Sequence, residues 1–369
     1  MPVYLDHNAT APVRFEAVQA MTDALQAVGN ASSVHRYGRD ARRRVEDARE
    51  AVAALIGCQP GDLLFTSGGT EANNTALRGH GRGRTLVSAG EHEAVLQARA
   101  DAEPVALTPD GTVDLDALDA ALAADARPAL VSVMLANNET GAINPIERVV
   151  EIARRHGARV HCDAVQAPGK IPVDARDLGV DLLTVSAHKL GGPQGVGALA
   201  VLDGQPLAPL LAGGGQERKQ RAGTENVPAI AGFGAAAAAA QADLDRLAGL
   251  AAWRDRLEAE ARAVCPRVQL HGACAARLPN TTCLGLPGVR AETQVMALDL
   301  AGVAVSSGSA CSSGKVHASH VLRAMGVSET DAGSAIRVSL GWDSVEGDVD
   351  AFLEAWAKLV RKHGLAAAA

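Results

Sequence analysis

Aromatic residues are scarce in this chain, which has three Trp, two Tyr and four Phe among 369 residues. No segment approaches the roughly 18–20 apolar residues of a membrane span, and the start, MPVYLDHNAT, lacks the basic and apolar segments of a signal peptide. Lys and Arg total 35 against 42 Asp and Glu, and this net charge of −7 argues against nucleic acid or anionic membranes as partners. We therefore expect a cytoplasmic protein.

The sequence also lacks any C-x-x-C pair, which excludes zinc ribbons, zinc fingers and thioredoxin-type motifs. A chain of this length does not need disulfides for stability, so we expect reduced thiols and no metal site. Cys311 differs from the other cysteines because small polar residues surround it, in SSGSACSSGK, and we expect it to be exposed and reactive. The six cysteines are Cys58, Cys162, Cys265, Cys274, Cys283 and Cys311.

The composition, 47% hydrophobic and 21% charged, is that of a globular protein, and the length suggests two domains. Between residues 13 and 202, short apolar runs alternate with helical segments, which predicts a largely parallel α/β sheet with helices on both faces. Ligands of such sheets bind at the carboxyl ends of the strands. A glycine-rich loop at 203–226 precedes a long alanine-rich helix from Val227 into Arg262, and short strands and helices after Pro266 predict a smaller α+β domain.

Two charged residues follow neighbouring predicted strands. Lys189 stands in SAHKLGGP, and Asp163 follows the preceding strand. A lone lysine in such a loop is more often solvated, but an acidic residue after a buried strand is costly unless it is paired. Lysine and aspartate on adjacent strand ends are what pyridoxal phosphate requires: the lysine forms a Schiff base, and the carboxylate keeps the pyridine nitrogen protonated.

Further polar residues occupy similar positions. Gln166 could donate a hydrogen bond to the ring oxygen of the cofactor, and the glycine turn with Gly69 and Thr70 opens a helix that could bind its phosphate. His92 follows another strand, although a surface histidine is an equal alternative. Asn138 offers an amide to a carboxylate or to the ring oxygen. Arg337 alternates with apolar residues on a strand and could clamp a carboxylate, with a structural salt bridge as the competing interpretation.

These residues stand in a set of blocks that runs almost end to end. The blocks are YLDHNATAPV, GNASSVHRYG, LFTSGGTEANN, ANNETGAINPI, HCDAVQAPGK, SAHKLGGPQGVG, RAGTENVPAI, SSGSACSSG, VLRAMG and AIRVSLG. In this combination the chain resembles the cysteine desulfurases, pyridoxal-phosphate enzymes related to the class V aminotransferases. Its cysteine loop is similar to that of the NifS- and IscS-like branch, which serves housekeeping and nitrogen fixation.

The resemblance implies the fold type I of pyridoxal-phosphate transferases, which is the aspartate aminotransferase-like α/β fold. A large cofactor domain at 13–250 would contain a mostly parallel seven-stranded sheet. A smaller α+β domain would combine residues 1–12 with 251–369 and carry the cysteine loop. The resemblance also implies a homodimer with shared active sites.

The resemblance assigns roles to particular residues. Lys189 would form the Schiff base, Asp163 would pair with the pyridinium, Gln166 would donate to the ring oxygen, and His92 would stack on the ring and move protons. The phosphate would be held by Gly69, Thr70, Ser186 and His188, together with Thr224 of the neighbouring subunit. Asn138, which would also contact the cofactor, and Arg337 would hold the substrate carboxylate.

Under the same resemblance, L-cysteine would be converted to L-alanine, and Cys311 would accept the sulfur as a persulfide. The sulfur would pass to an iron–sulfur scaffold or another acceptor protein, and Cys311 could contact an iron–sulfur cluster during transfer. Two segments depart from the family pattern: Gly192-Pro193-Gln194, where relatives often have a bulkier residue and a lysine, and Lys315-Val316-His317 in the cysteine loop.

Two alternatives remain open. One is a selenocysteine lyase or another carbon–sulfur lyase of the same fold, from which the role of Cys311 would distinguish a desulfurase. The other is a non-catalytic scaffold of this fold, which the full set of Lys189, Asp163, His92, Cys311 and Arg337 disfavours. A metal enzyme is disfavoured because no ligand cluster has suitable spacing.

Overall fold

The computed structural model describes residues 2–308 and 318–366. Its strands are β1 (Val3–Tyr4), β2 (Leu63–Thr66), β3 (Arg84–Ser88), β4 (Glu103–Val105), β5 (Ala129–Ser132), β6 (Arg159–Asp163), β7 (Leu182–Ser186), β8 (Gly197–Val201), β9 (Gln269–His271), β10 (Thr281–Gly285), β11 (Val303–Ala304), β12 (Ser306–Ser307) and β13 (Ala335–Ser339). Its α-helices are α1 (Phe15–Leu25), α2 (Arg36–Leu55), α3 (Gly69–Gly79), α4 (Glu93–Leu96), α5 (Leu115–Ala123), α6 (Ile146–Arg155), α7 (Val227–Ala242), α8 (Leu244–Ala248), α9 (Leu250–Val264), α10 (Ala291–Leu300), α11 (His320–Ala324), α12 (Glu329–Ala332) and α13 (Glu346–Lys362).

A seven-stranded sheet dominates the larger part of the molecule and confirms the predicted α/β architecture. Its strand order is β2-β8-β7-β6-β5-β3-β4, and its strands pair in parallel except at β8, which is antiparallel to β2 and β7. Strands such as Leu63–Thr66 and Leu182–Ser186 are buried along their whole length, because helices cover both faces of the sheet. Because both faces of these strands are buried, most positions along them are apolar.

The alanine-rich segment packs tightly, but it is not the single long helix that the sequence predicts. It divides into α7, α8 and α9, with a bend of 65° after Ala242. In α7 a Cβ at Gly234 would lie 2.6 Å from the Cβ of Ala48, so glycine allows a close approach to α2. The two sides of the bend pack in different hydrophobic cores. Helix α7 packs beside the large sheet, whereas Leu250 and Leu257 of α9 pack in the second core.

In the described part of the chain, no single helix has the length and apolar character of a membrane span. Among the described residues, one bent pair of helices, Val227–Ala242 and Leu244–Val264, meets both criteria when the two helices are counted together, and it does so by length and composition alone.

A second core surrounds the antiparallel sheet β12-β13-β10-β9. Leu5, from the first residues of the chain, packs into this core with Phe352 and Trp356. The N-terminal strand β1 pairs in parallel with β11, and the Ser339 amide donates to the Leu5 carbonyl at 2.9 Å. Both ends of the chain therefore contribute to one core, although the domain boundaries at 12/13 and 250/251 stay a prediction.

The loop at 203–226 is attached to the large sheet by a buried ion pair. Arg49 donates two hydrogen bonds to Glu217 at 2.8 Å, and the same carboxylate accepts the Phe65 amide at 3.0 Å. The Arg49 guanidinium also lies 4.8 Å from the centre of the Phe65 ring. Glu217 adopts a φ of 40°, a conformation that costs a non-glycine residue energy and is held here by these contacts.

We predict that Glu217→Ala lowers the free energy of unfolding by about 3–5 kcal/mol, because it removes the buried carboxylate partner of Arg49 and leaves the buried guanidinium with the more exposed Glu46. Urea denaturation of the purified protein measures the change. Glu354→Ala, which removes an exposed ion pair with Lys358, is the matched control and should leave the denaturation midpoint in place. A Glu217→Ala protein as stable as this control would show that the pair does not anchor the loop.

Candidate active site

A cavity of about 320 Å³ lies at the carboxyl ends of the large sheet and is also lined by Arg337 of β13. The cavity forms where the parallel strands of the large sheet end together and where the second sheet packs against the same edge. Ten of the twelve predicted site residues line the cavity: Gly69, Thr70, His92, Asn138, Asp163, Gln166, Ser186, His188, Lys189 and Arg337. The structure therefore brings them together, whereas their individual roles remain predictions.

The carboxylate of Asp163 is held at the end of β6. Its Oδ2 accepts a hydrogen bond from Asn73 Nδ2 at 2.7 Å, and its Oδ1 accepts the Val165 amide at 3.0 Å. Asp163 is buried and both of these donors are neutral. Burial of a carboxylate with only neutral donors is energetically unfavourable, and a cationic partner such as a protonated ring nitrogen would stabilise it.

The amino group of Lys189 lies against the N-terminal segment of the chain. Its Nζ donates to the backbone carbonyls of Asn8, at 2.6 Å, and Ala9, at 2.8 Å. Lys189 ends a short 3₁₀ turn, Ala187–Lys189, that directly follows β7. The strand end and the N-terminal segment together hold the lysine at the cavity wall.

A second cavity of about 460 Å³ adjoins the start of α3 and includes Thr70, Ser186 and His188. The first amides of a helix have no intrahelical acceptors, and they favour an anion such as a phosphate. Burial, together with the charges of Lys189 and Lys170, lowers the pKa of His188 to about 4. His188 is therefore neutral near pH 7, and one of its ring nitrogens contacts the Thr10 hydroxyl at 3.2 Å.

His92 caps the short helix α4. Its Nδ1 accepts the Ala94 amide at 3.0 Å, an arrangement that leaves the proton of a neutral ring on Nε2. The preceding residue, Glu91, is fully buried and accepts the Met134 amide at 2.5 Å. Burial, reinforced by the charge of Asp163, raises the pKa of Glu91 well above its usual value. Burial therefore favours the protonated form of Glu91.

Arg337 is buried, and its guanidinium forms an ion pair with Asp6 and a hydrogen bond to the Asn138 carbonyl. Its Nη2 pairs with Asp6 Oδ1 at 2.7 Å, and its Nη1 donates to the Asn138 carbonyl at 3.0 Å. Its Nε has no hydrogen-bond partner among the described residues. The structural salt bridge that competes with a clamping role is therefore present, yet one donor of the guanidinium is left for a ligand.

Two predicted site residues, Thr224 and Cys311, remain to be placed. Thr224 is exposed and lies outside the cavity within its own chain. Cys311 lies outside the described residues, but Gly308, three residues before it, lines the cavity. Of the two departures from the family pattern, Gln194 borders the cavity at the start of α3, and Lys315-Val316-His317 lies outside the described residues.

These features fit pyridoxal phosphate. The cavity offers a buried carboxylate for the pyridine nitrogen, a lysine for the aldehyde and helix amides for the phosphate. Buried Asn73 Oδ1 and Arg337 Nε lack hydrogen-bond partners in the described part of the chain, as expected where a polar ligand binds.

The sequence prediction missed several polar residues that support the site. Asp6 and Asn8 stand in the block YLDHNATAPV, Asn73 in LFTSGGTEANN and Lys170 in HCDAVQAPGK. Their presence in these blocks was the available signal. Which polar side chains face the cavity depends on contacts between segments that are far apart in the sequence, such as Asp6 with Arg337.

The model of the aminotransferase class-V family matches residues 3–352. The chain is 45% identical to a cysteine desulfurase of Cereibacter sphaeroides, over 95% of this chain and 94% of that protein. It is 43% identical to a cysteine desulfurase of Sinorhizobium fredii, over 98% and 97% of the two chains. A solved NifS-like protein from Rickettsia africae superimposes with a TM-score of 0.90 at 33% identity, covering 98% of this chain and all of that one.

Proposed function

The chain belongs to the aminotransferase class-V family, and we infer that it is a pyridoxal-phosphate-dependent cysteine desulfurase that converts L-cysteine to L-alanine. One observation carries the residue assignment: Lys189, Asp163 and Arg337 line one cavity together with Gly308, where the chain leads toward Cys311. Cys311 follows Gly308 by only three residues in the sequence, and we propose that its thiol acts on a substrate bound in this cavity.

The residues around the cavity bind and orient the cofactor. Asp163 holds the proton of the pyridine nitrogen, Gln166 donates to the ring oxygen, and His92 packs on the ring. Gly69, Thr70, Ser186 and His188 bind the phosphate. When bound, pyridoxal phosphate supplies an electron sink for the pair of electrons released at the substrate Cα.

The remaining roles concern the substrate. Arg337 and Asn138 bind the carboxylate of L-cysteine, and the Nζ of Lys189 removes the Cα proton. The Cys311 thiolate then attacks the substrate sulfur, so that a sulfur–sulfur bond forms as the carbon–sulfur bond breaks. The substrate Cβ keeps the electron pair of the broken bond and takes up a proton. The Nζ of Lys189 returns a proton to Cα, and alanine leaves while Cys311 carries the persulfide.

We further propose a homodimer in which Thr224 completes the phosphate site of the partner. Apolar side chains are exposed on α1 and in the segment just before α2, including Phe15 at 75% and Val34 at 88% exposure. Leu210 and Leu211, from the loop that carries Thr224, are exposed as well. A concentration of apolar surface of this kind is typical of a subunit interface.

The persulfide would be passed to a sulfur acceptor, for which we propose an iron–sulfur scaffold protein. The described cysteines, Cys58, Cys162, Cys265, Cys274 and Cys283, are free thiols. Free thiols together with a thiolate nucleophile suit a reducing compartment, and we propose the cytoplasm.

We predict that enzyme treated with L-cysteine gains the mass of one sulfur atom at Cys311, which peptide mass spectrometry locates. Cys311→Ala should abolish this gain and the formation of alanine. Cys274→Ala, which removes an exposed free cysteine, is the matched control and should behave as the unmodified enzyme. Full alanine and sulfide production by Cys311→Ala would instead indicate a carbon–sulfur lyase without a persulfide.

We predict that Arg337→Ala raises the KM for L-cysteine about 10- to 100-fold, because a charged hydrogen bond contributes about 1.5–3 kcal/mol. The absorption spectrum of the bound cofactor should stay the same. Arg290→Ala, which removes an exposed arginine of the same part of the chain, serves as the control. An unchanged KM in Arg337→Ala would remove the carboxylate-binding role.

We predict that mixing Lys189→Ala and Thr224→Ala subunits restores activity. In a mixed dimer one site would combine Lys189 of one subunit with Thr224 of the other, so that this site is native. Activity is measured after the subunits have exchanged, and each parent homodimer provides the baseline. If Thr224 acted within its own subunit, the mixture would show only the average of the two baselines.

A further inference from the structure

A second buried lysine, Lys170, lies behind the site, and neither the proposed mechanism nor the sequence prediction uses it. It follows Gln166 by four residues in the segment after β6 and is only 6% exposed. Its Nζ donates to Gln166 Oε1 at 2.7 Å and to Asn8 Oδ1 at 3.0 Å. Both acceptors are neutral amide oxygens. A buried lysine without a carboxylate partner is costly, which calls for a reason in the site itself.

The contacts of Gln166 show what Lys170 does. An amide group has an acceptor side and a donor side, and Lys170 occupies the acceptor side. On the donor side, Gln166 Nε2 donates to the backbone carbonyl of Asn8 at 2.9 Å, and a backbone carbonyl can only accept. Two independent partners therefore fix the orientation of the amide. The second N–H of Nε2 remains for a ligand in the cavity that Gln166 lines.

Asn8 is itself held firmly, so it can serve as a reference point for these side chains. Its Nδ2 donates to the Thr281 hydroxyl at 2.8 Å, and its Oδ1 also accepts from Asn280 Nδ2 at 3.2 Å. Its backbone carbonyl accepts from Lys189 as well as from Gln166. Lys170 thus joins Gln166 to the residue that positions Lys189.

We propose that Lys170 is a positioning residue that holds the amide of Gln166 so that its Nε2 N–H points at the ring oxygen of bound pyridoxal phosphate. This inference rests on the proposed function, because it takes Gln166 as the donor to that oxygen. Without Lys170 the amide loses the partner of its oxygen. Its rotation then becomes less restricted, and the hydrogen bond to the cofactor weakens.

The electrostatic environment is consistent with this role. Burial lowers the pKa of Lys170 well below its usual value, and the charges of Lys189 and Arg337 lower it further. His7 also interacts with Lys170, and its own pKa falls to about 4, chiefly through burial. A lysine that gives up its charge readily can be buried beside amide oxygens without an anionic partner.

The test is a pH titration of the visible absorption of the holoenzyme in the absence of cysteine. A hydrogen bond donated to the deprotonated ring oxygen favours that form, so its loss raises the pH midpoint of the absorption change. We expect Lys170→Met to raise this midpoint by about half to one pH unit, the shift equivalent to one ordinary hydrogen bond. An unchanged midpoint would overturn the proposal.

A double-mutant cycle shows whether Lys170 acts through Gln166. Gln166→Leu should raise the midpoint at least as much as Lys170→Met, and the double variant should match Gln166→Leu alone. Additive shifts would mean that Lys170 acts on the cofactor by its own charge, and the positioning role would be wrong. An unshifted Gln166→Leu would also overturn the proposal, since the hydrogen bond in question would not exist.

Two further variants separate positioning from general loosening of the buried cluster. Lys170→Gln keeps an N–H donor beside Gln166, and we expect it to return the midpoint most of the way to that of the unmodified enzyme. Asn280→Ala removes a different buried partner of Asn8 but keeps the contact between Lys170 and Gln166, and it should shift the midpoint much less than Lys170→Met does. A shift in Asn280→Ala equal to that in Lys170→Met would contradict the proposal.

Desulfurase activity of the unmodified enzyme is measured separately. An enzyme that binds the cofactor and shows the expected midpoints, but makes no alanine, would refute the proposed function and leave the positioning role standing. An active enzyme whose midpoint does not change in Lys170→Met would refute the positioning role and leave the proposed function standing. The two failures are therefore distinguishable.

Discussion

The hydrogen bonds of Asn8 connect the site to both parts of the molecule. Its backbone amide donates to the Ser339 hydroxyl of β13 at 3.0 Å, and its side chain contacts Thr281 of β10. Its carbonyl accepts from Lys189 and Gln166 at the edge of the large sheet. One short N-terminal segment thus contacts the small sheet, the lysine and the edge of the large sheet. Asn8 and Ala9 of this segment also line the cavity.

Around this connection, the site limits its net charge by keeping several ionisable groups neutral. Burial raises the pKa of Glu91 near Asp163 and so favours its protonated form, and burial lowers the pKa of His188 beside Lys189 to about 4. Asp163, Lys189 and Arg337 line the same cavity, and Arg337 is oriented by its hydrogen bond to Asp6. Charges left in a dry site interact strongly with the groups they face, which is why neutral neighbours favour binding of a polar cofactor.

The loop at 203–226 is a second place where distant segments depend on each other. The Arg49–Glu217 pair fixes the loop to α2, and the Phe65 amide of β2 donates to the same carboxylate. Arg221 pairs with Glu71 in the first turn of α3 at 2.8 Å. The same Glu71 accepts the Ser67 amide and so shapes the turn before the helix amides. Thr224 is therefore exposed on a loop that is attached to its own sheet.

The sequence by itself determined the fold class, because buried parallel strands demand continuous apolar runs and because the blocks around Lys189 and Asp163 are specific. It also located most of the cavity wall, since residues that follow parallel strands must meet at one edge. It failed for the alanine-rich segment, where helix propensity alone does not show that the chain turns from one core to another after Ala242. Only the tertiary structure decided that Asp6 orients Arg337 and that Asn8 and Lys170 fix Gln166. Those contacts join segments separated by up to 331 residues, and nothing in local sequence specifies which polar groups will satisfy each other once water is excluded.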